Sequence, residues 1–128
     1  MYNRPMFKRI STILIWSEDY RALADWYMSI LGFQPKKELN HPDDTGVLFQ
    51  IGDSQLWIGQ HSQVKGKSQD GPRHMFNIDV DSVQEAFEEL KNKGAEFVAP
   101  PFKAPTMDYY FATFLDLDHN MIQLFGGE

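Results

Sequence analysis

The side chains able to carry out chemistry are few and scattered along the chain. Four histidines, His41, His61, His74 and His119, supply the imidazoles, and there is no cysteine. Disulfide scaffolds, thiolate metal sites, iron–sulfur clusters and cysteine nucleophiles are therefore excluded, and any metal would need His, Asp, Glu or Gln. No Gly-rich phosphate loop, Gly-x-Ser-x-Gly elbow or His-Glu-x-x-His helix occurs. His41 precedes Pro42 in a turn and His119 stands in a hairpin turn, positions that face solvent. His61 falls at the end of a strand, as a rim histidine or as a ligand contact or general base. What remains is a set of aromatic and amide side chains at alternating strand positions, with Trp16, Trp57 and Phe125 beside Gln55, Asn77, Asp79 and Gln123. That mixture suits a small-molecule pocket.

The 128 residues, 42% hydrophobic and 14% aromatic, suffice for a single core, so one domain over 1–128 is expected. A net charge of −6 repels polyanions and leaves no basic stripe, so nucleic acid is not an expected partner. The longest apolar stretch, Ile10 to Trp16, falls far short of the roughly 20 residues of a membrane span, and no basic segment followed by an apolar one opens the chain. The expectation is a soluble, cytoplasmic protein with no membrane partner.

These side chains must be positioned by short elements. A β-rich run, Ile10 to Trp16, leads through Ser17-Glu-Asp19 into a helix. Its apolar face is Tyr20, Leu23, Ala24, Tyr27, Ile30 and Leu31, and its end is Gly32. Strands are predicted over 33–39, 45–51 and 55–61, followed by a polar connector over 62–71. The pattern then restarts with a strand over 73–80, a helix opened by Ser82-Val-Gln-Glu85, a stop at Gly94, and strands over 96–99, 109–115 and 120–125. Adding 63 to helical positions 20, 23, 24 and 27 gives Val83, Ala86, Phe87 and Leu90, the apolar face of the second helix. Two βαβββ modules, about 8–61 and 72–126, predict an α+β fold with eight strands curled into a cup and the helices outside.

The stretch Phe114-Leu-Asp-Leu-Asp-His-Asn-Met-Ile-Gln-Leu124 resembles the closing hairpin of the glyoxalase/bleomycin-resistance/dioxygenase superfamily, also called the vicinal oxygen chelate superfamily. Trp26-Tyr-Met-Ser-Ile-Leu-Gly-Phe33 resembles the end of that family's first helix. Val80-Asp-Ser-Val-Gln-Glu-Ala-Phe-Glu-Glu-Leu90 resembles its second strand-to-helix junction. Leu117 stands for the usual proline and His119 for the usual glycine of the hairpin. The resemblance covers nearly the whole chain and implies the same two-module cup, and it also implies a homodimer.

Alternation decides what lines the cup, because residues two apart share a face. Thr12, Leu14 and Trp16 of the first strand face inward, and with the 63-residue offset so do Met75, Asn77 and Asp79. From the last strand of each module come Gln55, Trp57 and His61, and Met121, Gln123 and Phe125. Tyr109 or Tyr110 would offer a phenol if the proline-rich segment 100–105 is a flap, although that segment is equally a stiff link. The resemblance implies metal ligands at Thr12, Trp57, Met75 and Gln123, of which Gln123 alone could ligate well, so no cofactor is predicted. A one-residue slip of the fifth strand would instead bring His74 beside Gln123 at a divalent metal, at the expense of burying Asp79. The leading functional expectation is a metal-free cup that sequesters a small aromatic or amphipathic molecule. The alternatives are a metal-dependent glyoxalase-type lyase/isomerase or ring-cleaving dioxygenase, and a structural or regulatory dimer with a vestigial cup.

Overall fold

The computed structural model describes residues 6–128. The elements run β1 (Thr12–Ser17), α1 (Tyr20–Ile30), β2 (Pro35–His41), β3 (Asp44–Ile51), β4 (Ser54–Gln60), β5 (Phe76–Ser82), α2 (Val83–Asn92), β6 (Glu96–Lys103), β7 (Tyr110–Leu115) and β8 (Met121–Gly127). Both expected caps form. The Asp19 carboxylate accepts the amide N–H of Ala22, and the Ser82 hydroxyl oxygen accepts that of Glu85, each at 3.1 Å. Gly32, with φ of 72°, turns the chain out of α1 in the left-handed conformation that a side chain would resist.

The eight strands form two four-stranded sheets of identical topology, ordered β1-β4-β3-β2 and β5-β8-β7-β6. In each, the first strand runs parallel to the last, and the remaining pairs are antiparallel. Leu14 pairs with Trp57 in one sheet and Asn77 with Gln123 in the other, so the modules superpose at an offset of 63 on the first strand and 66 on the last. The repeat read from helix periodicity therefore extends to strand register. Leu23, Tyr27, Phe49, Leu56 and Ile58 of the first module join Val83, Phe114, Ile122 and Leu124 of the second in one buried cluster.

Two expected boundaries move by three residues or more. The fifth strand begins at Phe76 and not at Arg73, because Gly71–Arg73 forms a short 3-10 turn with a proline in it. The proline-rich segment is largely strand, since β6 continues through Pro100 and Pro101 to Lys103 with irregular register between Ala99 and Phe102. Proline is tolerated there because β6 is an edge strand and one side of it needs no amide donors. Only residues 104–109 remain as a connection between β6 and β7.

The turn between β7 and β8 ties the modules together. Asp116, 3% exposed, accepts the Tyr27 hydroxyl of α1 at 2.7 Å, the backbone N–H groups of Asp118 and Asn120 at 2.9 Å each, and the Asn120 side-chain amide. Burial pushes the Asp116 carboxyl above its ordinary range, although the donors around it pull the other way. Burial, with the Asp116 charge, also holds the Tyr27 phenol well above its ordinary value. One turn further on, Asp118 accepts the Ser17 hydroxyl at 2.6 Å, and Ser17 is the buried last residue of β1. His119 closes the turn with φ of 66°, a conformation for which glycine is better suited.

Candidate functional site

Each sheet packs one face on the core and leaves the other open, and the faces follow the expected parity. In β1, Ile13 and Ile15 pack on the core while Leu14 is 57% and Trp16 38% exposed. In β5, Phe76, Ile78 and Val80 pack on the core, and Asn77 and Asp79 are exposed. The slipped register that would turn His74 inward is not the one adopted. His74 lies ahead of β5, is exposed, and Gln123 pairs with Asn77.

Trp57 is placed by two glycines that sequence reasoning missed. On β3 and β4, Gly46 and Gly59 pair directly, and a methyl group at either would overlap the Trp57 ring system. The indole thus lies flat across a glycine bed, buried to 8% exposure, instead of standing free as a ligand-facing ring. A glycine inside each of two strand patterns, with a tryptophan two residues before one of them, was the available signal. Trp16 packs edge-on against Trp57 with centroids 6.4 Å apart and against His61 at 5.4 Å. The ring nitrogen Nδ1 of His61 accepts the Gln63 backbone N–H at 3.1 Å, which puts the proton of the neutral imidazole on Nε2. The Nδ1 lone pair of His61 is thus engaged by the backbone, and Nε2 is left as the N–H donor.

The thirteen candidates do not share one cavity. Leu14, Trp16, Met75 and Met121 line a groove of about 360 Å³ between β1 and the start of β5, completed by His74, Asn120 and Val64 of the connector. Trp16 and His61 also border a more open groove of about 550 Å³ with the turn at Pro42–Thr45. Gln55, Asn77 and Asp79 belong to a third groove of about 340 Å³ at the opposite end of the β1–β5 seam. Thr12 donates its hydroxyl to Gln55 at 3.2 Å and is engaged there. Gln123, next to Asn77 and Thr113 in the second sheet, and Phe125 lie outside all three. Phe125 instead anchors an aromatic row with Tyr109 stacked on it at 4.8 Å and Phe111 at 5.2 Å. Tyr110 turns away to the chain end, where its hydroxyl meets Glu128 at 3.2 Å.

The donors at the four positions implied for a metal do not fit a divalent ion. Thr12 is hydrogen-bonded to Gln55, Trp57 offers an indole N–H with no lone pair to give, and Met75 offers a soft thioether. Among the described residues, no group of three His, Asp or Glu side chains converges elsewhere. No helix among them is long and apolar enough to cross a membrane.

Comparison with known proteins agrees with this architecture. The model of the glyoxalase/bleomycin resistance protein/dioxygenase superfamily matches residues 9–124. A glyoxalase family protein from Enterococcus faecalis superposes with a TM-score of 0.78 at 22% identity, covering 94% of this chain and 99% of that one. A member of the superfamily from Sphaerobacter thermophilus gives 0.78 at 19% identity, covering 95% and 99%. A family enzyme from Burkholderia phytofirmans gives 0.70 at 22%, covering 92% and 98%. At these identities the likeness is one of fold. No curated protein matches the chain.

Proposed function

Since the chain belongs to the glyoxalase/bleomycin-resistance/dioxygenase superfamily, we propose that it binds a small planar aromatic or amphipathic molecule at the Trp16 groove, without a metal, and acts by sequestration. The observation that carries this reading is the gathering of exposed apolar side chains at one end of the seam. Leu14, Trp16 and Met75 are 57%, 38% and 40% exposed around a groove of about 360 Å³. Apolar rings and thioethers left open to water in one place form a surface that gains free energy when a ligand covers it.

In this reading Trp16 presents a ring face to the ligand, held upright by Trp57 on one side and His61 on the other. The flexible thioethers of Met75 and Met121 adapt to the ligand's outline. Asn120 and the Nε2–H of His61 supply polar contacts at the rims. None of these groups is poised to break a bond, which favours retention over turnover. The protein is taken to be cytoplasmic and to work as a homodimer. Titration with a planar hydrophobic probe, followed by intrinsic fluorescence, tests the reading.

The metal-free part of the proposal has its own test. Zinc, nickel, manganese or ferrous iron added to the purified protein should leave its melting temperature unchanged. A rise of several degrees that Gln123→Ala or His74→Ala abolishes would show a site that the donor chemistry speaks against.

A further inference from the structure

The internal repeat gives the Trp16 groove a counterpart. At the offsets of 63 on the first strand and 66 on the last, Leu14 and Trp16 correspond to Asn77 and Asp79, and Asn120 and Met121 correspond to Ser54 and Gln55. The first member of each pair lines the groove of about 360 Å³, and the second lines the groove of about 340 Å³ at the other end of the β1–β5 seam. Ile13 and Phe76 correspond to each other, and both residues line both grooves. The two cavities are thus one feature of the module made twice, with side chains that have diverged.

Where the first groove is aromatic, its counterpart is acidic. The floor stays apolar, with Phe33, Leu56 and Ile78 beside Ile13 and Phe76. Asp79 stands where the repeat places Trp16, and Asp53 joins it from the turn between β3 and β4. Both carboxylates are exposed, no Lys, Arg or His lines the groove, and neither acid has an ion-pair partner among the described residues. Lys36 is not among the lining residues and donates to Gln50 at 3.4 Å. Gln55 is already engaged, since its side-chain N–H donates to Gln50 and its carbonyl accepts the Thr12 hydroxyl, each at 3.2 Å. The carboxylates remain as the strongest groups that a ligand could meet.

We infer that this groove is a second ligand site, for a small organic ammonium ion with an apolar body. The body covers the floor of Phe33, Leu56 and Phe76, which gains free energy by removing that surface from water. The ammonium group stays at the rim and donates charge-assisted hydrogen bonds to Asp79 and Asp53. A net charge of −6 raises the local concentration of such a cation and speeds its arrival. The volume lies near the lower end of the roughly 300–1,000 Å³ of ligand pockets, which suits one ring and a short chain. An inorganic divalent ion fits less well, because two carboxylates over an apolar floor supply few of the six to eight oxygens that calcium takes. This second site stands whether or not the Trp16 groove takes a ligand.

Calorimetric titration with phenethylammonium, uncharged phenethyl alcohol and the anion hydrocinnamate tests the site. The ammonium should bind saturably at one per chain, more weakly as salt rises. The alcohol should bind about tenfold more weakly, having lost the charge-assisted contacts, and the anion should not bind. Asp79→Asn should weaken binding of the ammonium severalfold, and Asp53→Asn/Asp79→Asn about tenfold or more, toward the affinity of the alcohol. Both acids are exposed, so these variants should melt with the wild type. Trp16→Ala should leave the ammonium affinity unchanged.

Equal affinity for the ammonium and the alcohol would mean a pocket without charge selection and overturn the proposal. So would ammonium binding that Trp16→Ala abolishes and the two acid-to-amide changes spare, since the probe would then sit on the indole face. Calcium that displaces the ammonium at matched ionic strength would make the groove a metal site, and no saturable binding at millimolar ammonium would make it no site; either result overturns the proposal.

Discussion

Asp116→Ala should lower the free energy of unfolding by about 3 kcal/mol, the scale for stripping a charged acceptor from several donors and leaving a buried hydroxyl without a partner. The Tyr27 hydroxyl, the amides of Asp118 and Asn120 and the Asn120 side chain all converge on this one carboxylate. Tyr27→Phe removes only one donor from the set and should lose about 1.5 kcal/mol. Urea unfolding followed by far-ultraviolet circular dichroism measures both. The pH dependence carries a sign. Burial raises the folded-state pKa of Asp116 above its ordinary value of 3.8, so the folded chain holds that proton more tightly than the unfolded chain does. This proton-linked part of its contribution, separate from the hydrogen bonds, is fully present below 3.8 and is lost as pH rises through the folded value. The gap between wild type and Asp116→Ala should therefore widen as pH falls from 7 toward 4. A gap that closes over that range would mean that the carboxylate is stabilised as an anion.

Gly59→Ala should disorder the candidate site while adding only a methyl group. The new carbon would overlap the Trp57 indole and come within 2.7 Å of Trp16 Cζ3, so both rings must move from their mutual edge-on packing. Overpacking of this kind destabilises a fold by about 1–3 kcal/mol. The diagnostic readouts are a changed near-ultraviolet circular dichroism band from the tryptophan pair and a loss of probe affinity, in a protein whose far-ultraviolet spectrum is retained. Gly52→Ala serves as the comparison: it has open space around it and touches neither indole, so its cost comes from its positive φ of 58° alone and should leave the tryptophan band unchanged.

The architecture was legible in the sequence because helix caps, apolar periodicity and strand alternation are local signals that repeat. Ser82 capping α2, Gly32 ending α1 and the 63-residue offset could all be read without coordinates. Strand faces were legible for the same reason, and Asn77 and Asp79 fall where alternation places them. The division of the inward-facing residues among three grooves was not, because it depends on how two sheets sit edge to edge, and no ladder joins β1 to β5. The burial of Trp57 escaped notice because it is set by Gly46 on the neighbouring strand and Gly59 two residues along its own, and not by Trp57 itself. Asp116 stands in the sequence only as one residue of the closing-hairpin stretch, and the approach of Tyr27, 89 residues away in the chain, makes it the fastening between modules. In the proline-rich segment, edge position overrode composition and let β6 run through Pro100 and Pro101.

The central claim is that Trp16 forms the ligand-facing wall, and a fluorescence titration of wild type, Trp16→Ala and Trp26→Phe with one planar hydrophobic probe tests it most directly. Trp26 packs from α1 against Phe114 at 6.4 Å, on the core side of the molecule, and should report nothing. The account predicts saturable quenching at one probe per chain in wild type and Trp26→Phe. In Trp16→Ala, affinity should fall about ten- to a hundredfold, corresponding to the roughly 1–3 kcal/mol of a covered aromatic contact. Stoichiometric binding that Trp16→Ala leaves unaltered would place the ligand elsewhere on the molecule and contradict the account.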